Sequence, residues 1–344
     1  MKTTEALNQV CCGMDLHSSN VYICVMEKDG TISYSKRLKN DLPSILDALK
    51  TCEGLKHIAV ESTFNWYWLV DGLMEHDYKV HLANPAQLAD CAAPKVTGDR
   101  HDAARLAYLL QRGELPEGYI YPKEVRPVRD VLRRRLMLVR QRTQTILSLQ
   151  GMYARTTGKQ ISGSKLKKWT LLDVEKTFEQ DADQFCAAEL LATIQCLEKR
   201  VKKMDDYVRK FLKSYPDYQR ILGVPGIGLA LSLTILLETG PVERFACPGQ
   251  YASYCRAVPS KRISNGKSKG QNNRKNGNKF LGWAYVEAAQ FAQQHHPRIH
   301  SWFQKKQRRT CRNVALKSLA AKLSKATYIM LRDQSDFNEQ LLFG

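Results

Sequence analysis

The sequence predicts an α/β domain over residues 1–125, a helical coiled-coil middle over 126–215 and a mainly helical domain over 216–344. Three observations predict this order. Short apolar runs alternate with helix-length segments through the first third. Apolar residues at three- and four-residue steps then take over, and a tight glycine turn opens the last third. In the first domain Val10 to Asp15 is an apolar run ending in an acid, and Val21 to Met26 is a second strand. Lys28-Asp29-Gly30 is a hairpin signal leading to a third strand over Ile32 to Lys36. Asp41-Leu42-Pro43 opens a helix through Leu49, with Pro near its first turn. His57 to Glu61 is a fourth strand, again ending in an acid. Asn65 to Glu75 is an aromatic-rich helix, Lys79 to Leu82 a fifth strand, and Arg100 to Arg112 a helix. A three-strand meander followed by alternating helices and strands is a mixed sheet of the ribonuclease H type.

In the middle, Leu132, Leu136, Val139, Ile146 and Leu149 mark one long helix, and Ile194, Leu197, Val201, Met204, Val208 and Phe211 mark another. A basic loop, Thr156 to Lys168, interrupts them. Two long amphipathic helices pair naturally, within one chain or between two. In the last third, Gly223 to Gly228 precedes an apolar helix ending at Thr239, Lys267 to Lys279 reads as a loop, and helices return at Phe280 to Gln294 and Ala315 to Arg332.

The chain holds 53 Lys and Arg against 34 Asp and Glu, a net charge of +19, so a polyanion is the default partner. No apolar run reaches the ~20 residues of a membrane span, and the polar start, Met1 to Val10, fits neither a signal nor a transit peptide. Ten cysteines without a Cys-x-x-Cys pair point to reduced thiols in a cytoplasmic protein rather than to a disulfide framework or a zinc site.

Four acids carry the chemistry. Asp15 and Glu61 each end an apolar strand, and the first and fourth strands of such a sheet are neighbours. Asp99 and Asp102 stand at i and i+3 where a helix begins, on one face of it. Carboxylates gathered this way repel unless cations sit between them, and hard oxygen donors suit Mg²⁺ or Mn²⁺. Two such ions clamp the attacking and leaving oxygens of a phosphodiester. Any one of these acids alone is equally a cap or turn former.

Three further features point to nucleic acid. The Pro225-Gly226-Ile227-Gly228 turn resembles a helix–hairpin–helix backbone binder, in which Gly226 and Gly228 offer N–H groups to phosphate, or else it is an ordinary helix–helix turn. From Arg244 to Val286 there is no acid but nine bases, among them Lys261, Arg262, Lys267, Lys269, Arg274, Lys275 and Lys279. Ser260, Ser264 and Ser268 lie in that stretch, and a serine among cations can attack phosphorus. Arg126, Arg129, Arg133 and Arg134 open a basic cluster that also includes Arg135, Arg140 and Arg142, suited to a nucleic-acid backbone or to a solvated helix face. Trp66, Tyr67 and Trp68 are base-stacking candidates, though such aromatics more often fill a core.

Asp15, Glu61 and the Asp99-Arg100-His101-Asp102-Ala103 segment resemble the Asp-Glu-Asp-Asp set of insertion-sequence transposases with a Holliday-junction-resolvase-like N-terminal domain. The resemblance continues through Val224 to Gly228, Arg244-Phe245, Tyr251 to Pro259, Ser264-Asn265-Gly266 and Lys275 to Leu281, and so covers nearly the whole chain. It implies an RNA-guided DNA recombinase in which a structured RNA encoded by the element pairs with donor and target DNA. It implies metal-binding acids at Asp15, Glu61, Asp99 and Asp102 and a nucleophilic serine at Ser264, five residues after Pro259. It also implies homodimers pairing into a homotetramer in the cytoplasm, at the nucleoid. The chain departs from the family pattern in two places: Asn265 stands between the serine and Gly266, and Thr97-Gly98 precede the third acid where Lys-Thr is frequent. The other readings of the same residues are a metal-only nuclease or transposase and a non-catalytic nucleic-acid-binding protein.

Overall fold

A computed structural model describes residues 7–88, 98–259, 263–270 and 276–343. The chain divides into two compact units. One comprises residues 1–123 with 259–277, the other 124–258 with 278–344.

The first unit is built on a five-stranded sheet. Its strands are β1 (Cys11–Leu16), β2 (Asn20–Met26), β3 (Ile32–Lys39), β4 (His57–Glu61) and β5 (Lys79–Ala83), in the order β3-β2-β1-β4-β5. β1 to β3 form an antiparallel meander, while β4 and β5 run parallel to β1. This is the mixed sheet expected of a ribonuclease H fold. Every residue of β1 is buried, as a central strand covered on both faces requires. The edge strand β3 carries Lys36, Arg37 and Lys39, charges that discourage further strand pairing.

Helix α1 (Leu42–Lys50) starts where the Asp41 carboxylate accepts from Ser44 N–H and Pro43 supplies a preset first-turn φ; it buries Ile45, Leu46 and Leu49. Helix α2 (Tyr67–Glu75) buries Leu69, Val70 and Leu73 on the sheet. Trp66 is buried, with Tyr67 and Trp68 packed against the same core, so the aromatic cluster is structural. After the one-turn α3 (Pro85–Leu88) comes α4 (Asp99–Gln111), whose Leu106, Leu109 and Leu110 pack with Cys11, Ala59 and Ala83 on the other face of the sheet.

The second unit opens with α5 (Arg126–Thr157), which turns back through the short α6 (Gly163–Leu166) and α7 (Leu171–Thr177) into α8 (Asp181–Arg209). The expected loop at 156–168 thus includes one helical turn, α6. The long helices are antiparallel. Leu132 meets Val208 near one end, and Ile146 and Leu149 share a core with Leu191 and Ile194 near the other. Arg135–Asp205 and Arg142–Glu198 ion pairs hold the register between. Leu166, Trp169, Val174 and Phe178 close the far end.

Next come α9 (Asp217–Leu222), α10 (Leu229–Thr239), α11 (Pro248–Tyr254), α12 (Lys279–His295), α13 (Pro297–Arg309), α14 (Arg312–Asp333) and α15 (Glu339–Phe343). Helix α12 turns Ala284, Ala288, Ala289 and Ala292 inward, and small side chains there allow close packing of its neighbours. Helix α13 was not anticipated: its apolar face is Ile299 and Phe303 with half-buried Trp302, among many cations.

Packing continues across residue 215, where the sequence suggests a boundary. Val128, Leu132 and Val208 of the hairpin share a core with Leu233 and Leu237 of α10. At the same contact the buried Glu238 accepts from Arg133, lies 3.0 Å from Arg129 Nε, and receives Asn278 Nδ2 at 2.7 Å. Burial alone would raise the Glu238 carboxyl, but Arg133, Arg129 and Asn278 outweigh it and hold it below the usual carboxylate range. Truncating Glu238 leaves two guanidinium groups without their shared counter-charge. Glu238→Ala is expected to cost ~3 kcal/mol and to lower Tm by several degrees, whereas the exposed, singly paired Glu75→Ala changes Tm little; thermal denaturation of the two variants checks this.

Candidate metal centre and nucleic-acid interface

The acid cluster follows from strand register. Met14 pairs with Val60, so Asp15 and Glu61, one residue on, stand side by side at the ends of parallel strands. They are close enough for each to shift the proton affinity of the other. Across the sheet, Asp15 pairs with Tyr22 and Tyr22 with Arg37, so one lateral row brings Arg37 to the same end.

The other two acids arrive by close packing of a helix. A Cβ on Gly13 would lie 2.0 Å from the Ala103 carbonyl oxygen and 2.6 Å from Ala107 N. Only glycine at position 13 lets α4 rest directly on β1. The helix is thereby set with its first turn, Asp99 and Asp102, beside Asp15. Negative charge is favourable in a first turn, which offsets part of the cost of crowding.

The structure adds two residues that sequence reasoning missed. His17 Nε2 is 3.2 Å from an Asp15 oxygen and 3.4 Å from an Asp99 oxygen. Asn40 and Asn65 each donate to the His17 carbonyl at 3.0 Å and so fix its backbone. The signal was its i+2 offset from Asp15, which in an extended segment puts two side chains on one face. Arg37 donates to Asp99, and only the pairing of three strands reveals that.

The donor set fits a divalent cation. One ligand atom each from Asp15, His17 and Asp99 lies within 4.8 Å of the others. His17 Nε2 is buried without a well-formed hydrogen bond. Its spacing from the two carboxylates is near the ~3 Å between adjacent ligands of one small ion. The electrostatics agree. Burial, then Asp15, then Asp102 push the Glu61 carboxyl up to about 7. Burial, Asp102 and Asp99 also raise Asp15, against the pull of His17. A cation among these groups removes the reason for both shifts.

The serine segment has a definite backbone. Ile263–Ser264 (β6) pairs antiparallel with Lys267–Ser268 (β7), Ser264 opposite Lys267. Asn265 and Gly266 both have positive φ, 50° and 70°, as a two-residue hairpin turn of the I′ type demands. The inserted Asn265 is therefore half of a tight turn, and part of the expected loop is a hairpin. This segment groups with the unit that holds the acids. Lys267 and Lys269 are exposed; Ser260, Lys261, Arg262, Arg274 and Lys275 lie outside the described residues. Lys279 is exposed and sits over the Phe280 ring.

Four of the expected nucleic-acid contacts have packing partners within their own unit. Arg126 and Arg129 are buried, and Arg133 is held by Glu238 and stacks on Phe280, so these three serve packing within their unit. Gly226 has φ 80° and lies against the backbone of α12: a Cβ there would fall 2.1 Å from the Ala288 carbonyl oxygen, so its role is helix packing. Arg134 is exposed, and Gly228, which begins α10, has open space around it.

A mixed sheet of the ribonuclease H type with clustered acids and a metal-type donor set is the arrangement of a metal-dependent phosphodiester-processing centre. Comparison with known proteins narrows this. Residues 12–156 match a transposase profile of that class from the IS110 family, and residues 218–304 match the transposase profile of the IS116/IS110/IS902 family. The chain is 25% identical over 257 residues to the "Probable family 20 transposase" of Pseudomonas aeruginosa, covering 72% of this chain and 71% of that one. It is 21% identical over 307 residues to the transposase for insertion sequence element IS1111A of Coxiella burnetii, covering 82% and 78%. The two matched segments correspond to both transposase domains of the IS110/IS116 family, and together with these relatives they support an insertion-sequence transposase with DNA as its substrate.

Two outcomes test the centre. Gly13→Val, which drives α4 away from β1, is expected to abolish the rise in Tm that Mn²⁺ gives the wild type. Glu61 tests the charge balance. Its pKa is raised above the ordinary carboxylate value, so the folded state holds its proton more tightly than the unfolded one. Stability without metal therefore falls as pH rises from about 4.5 to 7. Glu61→Gln should match wild type near pH 4 and exceed it by ~1–2 kcal/mol above pH 7 in chelator, while losing Mn²⁺ stabilisation. Melting curves across pH with and without Mn²⁺ read both.

Proposed function

We propose that the chain is an RNA-guided, site-specific DNA recombinase that moves its own insertion sequence by covalent serine catalysis. The observation that carries the catalytic part is the convergence of Asp15, Glu61, Asp99 and Asp102 on one sheet end, within the unit that also contains the Ser264 hairpin. RNA guidance and the homotetramer rest on the resemblance of the whole chain to its family.

Asp15, Glu61, Asp99 and Asp102, with His17 beside them, would hold Mg²⁺, which would supply positive charge against the scissile phosphate. Ser264 Oγ attacks phosphorus, its bond to phosphorus forms, and the bond to the 3′-oxygen breaks. The serine proton is lost and the departing oxygen gains one, leaving a 3′-hydroxyl. The reverse step with another strand's 3′-hydroxyl rejoins DNA and frees the serine. Bond energy is conserved in the phosphoserine, so no nucleotide cofactor is required, in keeping with a chain that has no Walker loop. Lys267, opposite Ser264 in the hairpin, brings positive charge to the same turn. Exposed Lys269, Lys279 and Arg134 add phosphate contacts.

The test is a protein–DNA adduct. Wild type with Mg²⁺, guide RNA and its DNA substrates should yield a denaturation-resistant, protease-sensitive species. Ser264→Ala should lose that species and all strand rejoining, while Ser260→Ala and Ser268→Ala keep them. Rejoining by Ser264→Ala would establish the metal-only reading, in which water attacks. Full recombination by an Asp102→Asn, Glu61→Gln double variant would establish a role without metal chemistry.

A further inference from the structure

Helices α13 and α14 carry a charge distribution that the catalytic reading leaves unused. Between Glu287 and Asp333 the chain has no Asp or Glu but ten Lys and Arg. Lys305, Arg308 and Arg309 in the second half of α13, and Arg312 and Lys317 at the start of α14, are all exposed. Only Thr310 and Cys311 separate the two helices, so four of these cations crowd one corner. None of the five has a carboxylate within ion-pair distance among the described residues. The nearest neighbour of this kind is an amide: Arg312 donates to Gln290 Oε1 at 2.9 Å.

Helix stability explains part of this pattern and not the rest. Bases in the last turn of α13 complement the negative end of that helix. Arg312 and Lys317 have no such reason. Arg312 stands in the first turn of α14, where a cation is unfavourable, and that turn has no acid to compensate. Some exposed bases elsewhere do have carboxylate partners, as in Lys50–Asp47, Arg112–Glu114 and Lys123–Glu75. The faces opposite are ordinary core: Ile299 and Phe303 on α13, Ala315, Leu319 and Leu323 on α14. An unpaired cationic face on well-packed helices lowers stability by self-repulsion unless a polyanion covers it.

We infer that the α13–α14 corner is a sequence-independent docking surface for the phosphate backbone of duplex DNA. Lys and Arg on two helices that meet at a corner can reach successive phosphates but are not arranged as a base-reading row. The choice of DNA as occupant rests on the transposase reading above. The surface itself rests on charge and exposure alone.

Equilibrium binding tests it. The full-length protein is titrated against a fluorescent duplex of about 30 base pairs and arbitrary sequence, without divalent metal, over a range of salt. A Lys305→Gln, Arg308→Gln, Arg309→Gln, Arg312→Gln variant is expected to bind at least about tenfold more weakly, with a log–log salt slope shallower by about 3. A charge-matched control, Lys50→Gln, Arg112→Gln, Lys123→Gln, Arg332→Gln, should retain wild-type affinity to within about twofold. Melting temperatures confirm that both variants fold. Equal losses in the two variants would mean that net charge alone matters, and would overturn the inference. Unchanged DNA binding also overturns it, and if an RNA hairpin then loses affinity the surface is an RNA site instead. None of these outcomes touches the Ser264 adduct, which a catalytic failure would remove while leaving this binding intact.

Discussion

Direct contact between the α4 backbone and β1 at Gly13 is the constraint on which the functional unit depends. Strand pairing alone brings two carboxyls together, and burial beside Asp15 is the main reason the Glu61 carboxyl is pushed up to about 7. Seating α4 on the sheet adds two more. The folded chain accepts this crowding because the sheet and helix are buried over a wide area behind it. A protein at its stability optimum would not gather these groups; one that must hold a cation at a phosphodiester has to.

Balanced and unbalanced charge are both used. In the helical unit Glu238 gathers two arginines and Asn278, and Asn278 in turn accepts from Phe280 and Leu281 N–H to begin α12. One buried acid thus ties α5, α10 and α12 into a single body. Arg129 and Arg133, which look like part of a nucleic-acid stripe in sequence, are spent on that junction.

Much of this was legible before coordinates. β4 has the bounds expected, and the other strands differ by a residue or a few, because apolar runs bounded by turn residues are local signals. The four acids were visible since strand ends and helix starts can be read from flanking residues. What escaped was set by tertiary contact. His17 and Arg37 join the site through a turn and a three-strand register. The burial of Arg129 depends on Glu238, more than a hundred residues away in sequence. Gly226 resembles a phosphate-binding glycine until Ala288 is seen against it. The Asn265-Gly266 turn is locally encoded, a dipeptide that favours I′ hairpins, but it lies in a stretch whose Lys, Asn and Gly content reads as loop.

The α5–α8 pair has a mechanical consequence. A 32-residue helix is about 48 Å long, and α8 braces it along most of that length. Such a strut behaves as a lever: ten degrees of tilt at its root sweeps the far end through roughly 8 Å. The root is where Glu238 grips Arg129 and Arg133. The far end presents Leu171, Leu172 and Phe185 to solvent. The stiffness of one small polar knot therefore sets where those apolar side chains can travel.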